Sequence, residues 1–439
     1  MAEKRVVITG LGIVSPAGAG IEENFQKLLA GHSAVKKIER FDPSGFECRI
    51  AGEMAEFSAR NYVPKGYRKA VKVMARDIEI AVAAADLAFR DADIITRERA
   101  KEENVQMQIE PSRLGCNIGA GLICAELDEL GMAATTSKDA DGNFDFKLWG
   151  EHGMTNLTPL WLLKYLPNML SCHVTIIHGA EGPSNNITCG DASGPLSVGE
   201  SVTYIKRGSA DAVVTGAAES KLNPMGVMRQ SKLGRVCKIG NDHPATAIRP
   251  FDAAHAGLAP AEGGALVILE DFSRATSRGV RIYAEVAGFG AACDPKGMDI
   301  TRPTAGNLGL AVKAALKQAG ITPDDVDMIV AYGTAVPGED AAEAAEWKKA
   351  FGEKLAQIPA VSFTGLTGTM YAGGGAAQLA LAAKAVEQQI VPPTINFEKP
   401  ADGCELNLSA KARKKDIRYA VVGAFTVGGQ SGAVVLKKA

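Results

Sequence analysis

One stretch decides the fold of this chain: Gly182-Pro183-Ser184-Asn185-Asn186-Ile187-Thr188-Cys189-Gly190-Asp191-Ala192-Ser193-Gly194. Its glycines and small residues predict a sharp turn from a strand into a helix, the kind of turn on which enzymes display a nucleophile. Asp191 lies at the predicted tip, and the only nearby thiol, that of Cys189, comes two residues earlier. After His255 the chain has no further histidine, so its C-terminal part offers no imidazole as general base or oxyanion donor.

Length and charge place the chain among ordinary globular proteins. Its 439 residues are enough for one large core or two medium ones. Lys and Arg total 48 and Asp and Glu total 50, and the net charge of −2 argues against a nucleic-acid-binding protein or a polybasic membrane protein. The 48 glycines and the abundant alanine favour tightly packed α/β structure with many close turns.

The cysteines indicate a reducing compartment. The eight cysteines include no CxxC pair, which argues against a zinc site or a redox motif. The N-terminus runs into the strand-like segment 6–10 without a signal-like apolar stretch. No run approaches the roughly 18–20 apolar residues that a membrane span needs. We therefore expect a soluble cytoplasmic protein without a bound metal.

Short apolar runs that end in glycine alternate with longer amphipathic stretches. This pattern is typical of βαβ units and predicts an α/β protein with a buried, mostly parallel sheet. The predicted strands are Arg5–Thr9, Arg113–Ile118, Ala212–Thr215, Ala265–Leu269, Ile282–Phe289, Met328–Ala331, Ala360–Phe363, Ala420–Ala424 and Gly432–Leu436. The predicted helices are Ile21–Ala30, Lys69–Ala92, Thr158–Leu166, Pro195–Arg207, Leu308–Ala319, Ala341–Phe351 and Gly374–Gln389.

Two approximate internal repeats favour a duplicated βαβ unit. RVVITGLG from Arg5 is similar to IYAEVAGFG from Ile282, and AVVTGAA from Ala212 is similar to AVVGAF from Ala420. Because strands followed by glycine are common in α/β proteins, chance similarity stays the alternative. Duplication predicts an N-terminal half at residues 1–255, with an exposed polar insertion near 130–160, and a C-terminal half at residues 256–439.

Four stretches in this order resemble the β-ketoacyl-acyl-carrier-protein synthases of the thiolase superfamily, in particular their KAS II-like members. They are VVITGLGIVSP from Val6, the turn after Gly182 with its helix, RPFD from Arg249 leading to EGGALVILE from Glu262, and VPPTIN from Val391 followed by FTVGG from Phe425. Each is weak alone, but their order and spacing match over essentially the whole chain. The resemblance implies a thiolase-like fold, with duplicated halves in a five-layered αβαβα sandwich, that works as a dimer.

The resemblance also implies a reaction. In that family a cysteine at the tip of the turn takes the acyl chain as a thioester, and two histidines polarise the extender's carbonyl and stabilise the enolate formed by decarboxylation. This chemistry needs a thiolate at a helix N-terminus and donors where negative charge develops. The substrate travels on the phosphopantetheine arm of an acyl carrier protein, and no bound cofactor is implied.

All three catalytic positions of the family carry other residues in this chain. An alignment without gaps on the glycines around the turn places Asp191 at the cysteine position. The first histidine precedes Gly-Thr in a turn, where this chain has Tyr332. The second histidine follows Thr-Gly, where this chain has Thr369, and Thr364 replaces a lysine five residues earlier.

The pocket for the pantetheine and acyl groups is partly recognisable. The resemblance assigns Thr334, Phe425 and Gly428 to this pocket. Val336 stands where the family has the second threonine of the pantetheine-contacting turn. The glycine loop that contains Phe425 and Gly428 would help to shape an oxyanion hole through its backbone.

Asp191 cannot replace the thiol. A carboxylate is a poor nucleophile toward a thioester, and the resulting mixed anhydride lies uphill of it. At a helix N-terminus an ionised Asp191 more naturally caps the helix 192–207 that follows it. Acid–base or decarboxylative work by Asp191, and an error in the alignment, are the alternatives.

Cys189 is the alternative nucleophile. A shift of two residues would place it at the tip, although its side chain would otherwise face back along the strand and it has no evident base. His173 and His178 precede the turn and are predicted on an earlier strand near the dimer interface. A buried or interfacial histidine there needs no catalytic role.

The losses are similar to those of chain-length factors, ketosynthase homologues that pair with an active ketosynthase in type II polyketide systems. We therefore expect a pseudoenzyme of fatty-acid or polyketide biosynthesis that binds or shapes an acyl chain on an acyl carrier protein. It would form a homodimer or a heterodimer with an active ketosynthase. The basic stretch 65–72 could dock the acidic carrier protein or form a solvated helix face.

Two other functions stay open. One is an enzyme that processes acyl carrier protein thioesters, as a 3-oxoacyl synthase, decarboxylase or acyltransferase, with Cys189 or Asp191. The other is a diverged homodimer with only an interaction role.

Overall fold

A mixed β-sheet runs through the protein, which a computed structural model describes at residues 4–297, 299 and 302–439. The strands of these residues are β1 (Val6–Ser15), β2 (Gly18–Ala19), β3 (Lys36–Lys37), β4 (Ile50–Ala51), β5 (Leu114–Ala120), β6 (Ser184–Thr188), β7 (Ala212–Ser220), β8 (Glu262–Asp271), β9 (Ala284–Cys293), β10 (Met328–Val330), β11 (Ala360–Val361), β12 (Ile390–Val391), β13 (Arg413–Lys414), β14 (Tyr419–Phe425) and β15 (Gln430–Lys437). The order in the large sheet is β11-β10-β14-β15-β9-β1-β8-β7-β5-β6, with β2 on β1, while β3–β4 and β12–β13 form separate pairs.

Helices cover the sheet. Within the same residues they are α1 (Ile21–Leu29), α2 (Arg76–Asp91), α3 (Arg97–Glu103), α4 (Leu127–Thr135), α5 (Phe146–Leu148), α6 (Trp161–Tyr165), α7 (Met169–His178), α8 (Ser193–Lys206), α9 (Pro224–Lys232), α10 (Pro244–Ala247), α11 (Phe272–Arg278), α12 (Leu308–Ala319), α13 (Pro337–Phe351), α14 (Thr364–Thr367) and α15 (Ala372–Gln388). Across the part of the chain that the structure describes, every helix is too short or too polar to span a lipid bilayer.

The layers follow from how the sheet is divided. Its two halves join between β1 and β9, where Val7 pairs with Glu285 and Ile8 with Ala284. Helices α8 and α15 lie between the halves, because both contact β7 of the first half while α8 also contacts β15 and α15 contacts β14. Helix α2 packs on β1, β7 and β8, and α12 packs on β9 and β15. This αβαβα arrangement confirms the predicted α/β class and thiolase-like fold.

Alternating side chains build the two cores on either side of the first half-sheet. Val213 and Val267 belong to the core that contains α15, while Val214 and Ile268 belong to the core that contains α2. Successive strand residues point to opposite faces, so a sheet covered on both faces must be apolar at every position. This explains why the strand runs read as continuous apolar stretches.

The prediction of a mostly parallel sheet is wrong. Parallel pairs occur toward the two ends, between β5 and β6, β5 and β7, β10 and β11, and β10 and β14. The strands in the middle are antiparallel, from β7 and β8 through β1 and β9 to β15 and β14. Apolar runs report burial on both faces and not strand direction, which depends on the connections.

The predicted helices hold in outline and differ at their ends. The segment 69–92 begins as a 3-10 turn at Ala70–Val73, and α2 starts after an extended residue, Ala75. Of the segment 158–166, residues Trp161–Tyr165 form α6. The predicted strand around His173 and His178 is wrong, because both histidines lie on α7.

The division into halves at 255/256 stays a prediction. Strand β8, which that boundary assigns to the second half, lies between β1 and β7 in the first half-sheet. The segment near 130–160 folds into short helices and turns with several exposed apolar side chains, among them Phe146, which is 84% exposed.

Candidate active site

The predicted turn joins β6 to α8. Cys189 follows the strand, Gly190 adopts a φ of +51°, and Gly190–Ala192 form one 3-10 turn before α8 begins. A side chain at Gly190 would approach the Thr426 hydroxyl to 2.9 Å, so glycine suits both the backbone conformation and the space. The Ser193 hydroxyl accepts a 2.8 Å hydrogen bond from the Cys189 N–H and donates to the carbonyl of Ala120 at 3.0 Å, which fixes the turn against β5.

Asp191 sits at the apex of this turn and is almost completely buried, with 4% of its surface exposed. The Tyr332 hydroxyl donates a 2.6 Å hydrogen bond to Asp191 Oδ1. Burial raises the pKa of the Asp191 carboxyl, and the Arg235 charge and the Tyr332 hydrogen bond oppose that rise. The predicted capping role is wrong, because the N-cap of α8 is Ala192 and no side chain caps that helix.

Tyr332, the second predicted site residue, contacts the first, Asp191. It is fully buried in the loop after β10, and its hydroxyl also lies 3.1 Å from the carbonyl of Tyr371. Burial and the neighbouring Asp191 raise its pKa far above the ordinary range, so the phenol stays a neutral donor. Its ring meets Phe425 edge-on with centroids 5.9 Å apart.

Two buried carboxylates hold the backbone of the Tyr332 turn. Glu343 accepts the N–H of Tyr332 at 2.6 Å and of Gly333 at 2.8 Å, together with Trp347 Nε1 at 3.0 Å. Asp340 accepts the N–H of Ala335, which adopts a φ of +63°. Burial raises the pKa of Glu343 from 4.5 to about 7. These carboxylates give the turn its shape.

Thr369 is fully buried, and its hydroxyl has no hydrogen-bond partner among the described residues. Its backbone is paired on both sides, to the carbonyl of Ala259 at 2.9 Å and to the N–H of Ala261 at 3.0 Å. Thr364 contacts the Tyr332 turn directly, because its hydroxyl donates to the carbonyl of Gly333. The hydrogen bonds therefore link Asp191 to Tyr332 and leave Thr369 outside that pair.

Among the described residues, no hydrogen bond joins the Cys189 thiol to an imidazole. Its thiol is half-buried, and burial raises its pKa, which opposes thiolate formation. His173 is bonded to the Tyr67 hydroxyl at 2.9 Å, and His178 to the Thr96 hydroxyl at 2.8 Å. Neither histidine of α7 is therefore hydrogen-bonded to Cys189 as a general base would be.

The three residues assigned to the pantetheine and acyl pocket lie in the loop after β10 and at the β14–β15 turn. Thr334 and Phe425 are each 1% exposed, and the Thr334 hydroxyl accepts the N–H of Val336. Gly428 lies in the β14–β15 turn next to the Gln430 side chain. We define the gate cleft as the cavity of about 150 Å³ lined by Leu233, Gly234, Arg235, Arg302, Pro303, Thr304, Val336, Gly338, Glu339 and Val427. None of the three assigned residues lines it.

Sequence reasoning missed a buried ion pair at this cleft. Arg235 Nε and Nη2 donate to the two carboxylate oxygens of Glu339 at 2.6 and 3.0 Å. Arg235 and Glu339 are each 5% exposed and stand 104 positions apart, so no local motif signals their contact. Among the described residues no group of three or more His, Cys, Asp or Glu side chains is arranged to hold a metal ion.

Comparison with known proteins supplies the family. The β-ketoacyl synthase N-terminal domain matches residues 3–275, and the β-ketoacyl synthase C-terminal domain matches residues 283–398. The chain is 32% identical to a 3-oxoacyl-[acyl-carrier-protein] synthase 2 from Vibrio harveyi, with 100% of this chain and 99% of the relative covered. It is also 32% identical to the Coxiella burnetii (strain RSA 493 / Nine Mile phase I) protein of the same name, with the same coverage.

Solved structures agree. A β-ketoacyl synthase from Burkholderia phymatum STM815 superposes with a TM-score of 0.84 at 26% identity, over 99% of this chain and 100% of that one. The ishigamide ketosynthase/chain length factor gives a TM-score of 0.82 at 25% identity over all of both chains. From its sequence matches and its fold, the chain belongs to the β-ketoacyl synthase family.

Proposed function

We propose that this protein is a non-condensing, chain-length-factor-like subunit of cytoplasmic fatty-acid or polyketide biosynthesis, which binds or shapes an acyl chain carried by an acyl carrier protein. One observation carries the proposal. The apex of the turn between β6 and α8 holds a buried carboxylate, Asp191, that accepts a 2.6 Å hydrogen bond from the Tyr332 hydroxyl. A ketosynthase needs a thiol at this position.

The chemistry of the pair supports the loss of condensation. Acyl transfer to the enzyme needs a nucleophile that forms a thioester, and a carboxylate forms a higher-energy anhydride instead. The enolate step needs donors that face the developing oxyanion. The Tyr332 hydroxyl is already directed at Asp191, and Thr369 replaces the second imidazole.

The basic stretch 65–72 supports a carrier-protein partner. Exposed cations lie on two consecutive 3-10 turns and between them: Lys65, Arg68, Lys69 and Lys72. No carboxylate of the described residues lies within 4 Å of these four cations, in contrast to the nearby pairs Arg90–Asp86 and Arg99–Glu103. Unpaired cations attract an acidic partner and accelerate its docking. A solved type II polyketide ketosynthase in complex with its acyl carrier protein is among the structural relatives, with a TM-score of 0.81.

A strand with one free edge supports a dimer. Strand β6 is the last strand of the sheet, and within the described chain it pairs with β5 alone. Ser184, Asn185 and Thr188 are exposed, and Ile176 on the adjacent α7 is 49% exposed. Such an edge is a template for a strand of another molecule. The partner is a second copy or an active ketosynthase.

The experiment is a reconstitution. The purified protein is incubated with acyl and malonyl thioesters of an acyl carrier protein, alone and with each ketosynthase of its host, and the 3-oxoacyl product is measured by mass spectrometry. We expect no product from the protein alone and a changed chain length in the presence of its partner. Turnover by the protein alone that is lost in Asp191→Ala or Cys189→Ala contradicts the proposal.

Acid–base processing of a carrier-protein thioester is a second candidate, favoured by one observation. Burial raises the pKa of the Asp191 carboxyl, and a carboxyl with a raised pKa is a stronger base than an ordinary aspartate. Decarboxylation of a malonyl thioester, measured as CO2 release and abolished by Asp191→Asn, would establish this function. Cys189 has less support because it has neither a base nor a lowered pKa.

A further inference from the structure

We propose that the ion pair between Arg235 and Glu339 is a gate that closes the route from the gate cleft to Asp191. The proposal concerns access to the site and does not depend on which reaction, if any, the site performs. It is therefore tested by the reactivity of a thiol and not by turnover.

The position of the pair at the inner end of the cleft is the first argument. Arg235 and Glu339 both line the gate cleft, yet each exposes only 5% of its surface. Residues nearer the surface line the same cleft, such as Arg302, whose side chain is 46% exposed. The pair is thus a boundary between the cleft and the interior.

The Arg235 guanidinium also acts on the site behind that boundary. Its charge opposes the burial-driven rise in the pKa of Asp191, and it likewise opposes the rise in the pKa of Tyr371. Arg235 therefore lines the cleft and is also near enough to interact with Asp191 and Tyr371. A pantetheine arm that followed this route would meet Arg235 before it met Asp191.

The gate is held on both sides. Glu339 belongs to the first turn of α13, where a carboxylate is favoured by the helix dipole. The Arg235 backbone carbonyl accepts the N–H of Leu258 at 2.8 Å, and Arg235 Nη1 donates to Gln230 Oε1 at 2.9 Å. Opening the pair would leave two charges unpaired in a buried place, which is strongly unfavourable.

The experiment reads accessibility at position 191. The protein carries Asp191→Cys to introduce a thiol and Cys189→Ser to remove the neighbouring one. N-ethylmaleimide is added, and the modification of each cysteine is followed by peptide mass spectrometry. The exposed Cys293 serves as the internal reference for a freely accessible thiol. We expect the introduced thiol to react at least tenfold more slowly than Cys293.

Removal of the Arg235–Glu339 pair should make the introduced thiol react faster. With Arg235→Ala and Glu339→Ala together, we expect the introduced thiol to react at least tenfold faster than with the pair intact. The matched control is the double change Arg76→Ala and Glu262→Ala, which deletes another buried bidentate pair, with distances of 2.9 and 3.0 Å. This control should leave the rate at position 191 unchanged.

One single variant distinguishes an opened gate from an electrostatic effect on the pKa of the introduced thiol. Arg235→Gln removes a cation, which raises the pKa of a nearby thiol and slows its reaction. Opening of the gate speeds the reaction, so a threefold or larger acceleration in Arg235→Gln can only come from access. This variant also decides the matter if circular dichroism shows that the double variant does not fold.

Three results would overturn the gate. They are a rate at position 191 equal to that of Cys293 with the pair intact, no acceleration when Arg235 is changed, and equal acceleration in the Arg76 and Glu262 control.

Discussion

Asp191 and Glu343 are two buried carboxylates that bind the same residue, Tyr332, in opposite ways. Glu343 accepts the backbone N–H of Tyr332 and two further donors, from Gly333 and Trp347. Asp191 accepts the side-chain hydroxyl of Tyr332, its one side-chain hydrogen bond among the described residues. Glu343 thus shapes the turn while Asp191 meets its tip, so changes at Glu343 should destabilise the fold more than changes at Asp191.

The largest effect should come from Glu343→Ala. It leaves three buried donors without an acceptor, and each unpaired buried donor costs roughly 1–3 kcal/mol. We expect the free energy of unfolding to fall by about 4 kcal/mol, measured by urea denaturation followed by circular dichroism.

Asp191→Asn is the matched change on the other side of Tyr332. It keeps an acceptor for the hydroxyl, so we expect a loss of about 1 kcal/mol or less. A loss in Asp191→Asn as large as that in Glu343→Ala would remove the distinction between the two carboxylates.

The second effect is a pH dependence that belongs to Glu343. Burial raises its pKa in the folded protein from 4.5 to about 7. The folded protein therefore binds the proton more tightly than the unfolded chain, and the free energy of unfolding falls as the pH rises through this window. We expect this term to be about 1–3 kcal/mol between pH 4.5 and 7.

Glu343→Gln removes the titration and isolates the term. The difference in unfolding free energy between the unchanged protein and Glu343→Gln should decline from pH 4.5 to pH 7, because other groups cancel. A difference that stays constant with pH would mean that Glu343 titrates at its ordinary pKa.

The third effect compares two buried tyrosines. Tyr332→Phe removes the donor to Asp191 and leaves that carboxylate oxygen unpaired, so we expect a loss of about 1–2 kcal/mol. The Tyr371 hydroxyl has no hydrogen-bond partner among the described residues, so Tyr371→Phe should be neutral or slightly stabilising. Thermal unfolding measures both. Equal losses would show that the hydroxyl–carboxylate bond adds nothing to burial.

Local sequence patterns predicted the buried strands and the turn at residue 190. The apolar runs of β7 and β8 predict strands that are covered on both faces. The glycines around residue 190 predict the turn between β6 and α8. The turn predicted a strand before it, but the bounds of β6 were not predicted, because Ser184-Asn185-Asn186 has no apolar pattern. Strand direction escaped as well, since the antiparallel pairing of β14 with β15 depends on a turn and not on composition.

Alignment to a family motif can nominate residues of a candidate site, but it does not reveal contacts between distant segments that carry no motif. Asp191 and Tyr332 follow from alignment with the family motifs, and the structure brings them to 2.6 Å. The contact of Arg235 with Glu339 joins the loop after α9 to the start of α13, 104 residues later. Capping by Asp191 failed because its carboxylate turns toward Tyr332 and away from the helix N-terminus.

The smallest expected effect is the sharpest test of the site. Asp191→Cys places a thiol at the apex of the β6–α8 turn. Positions 332 and 369 still carry Tyr332 and Thr369 in place of the imidazoles that would stabilise the enolate. We expect no 3-oxoacyl product above background from acyl and malonyl carrier-protein thioesters, measured by mass spectrometry. Adding Tyr332→His and Thr369→His to Asp191→Cys tests the missing donors directly. Robust condensation by Asp191→Cys alone would mean that condensation in this protein does not require imidazoles at positions 332 and 369.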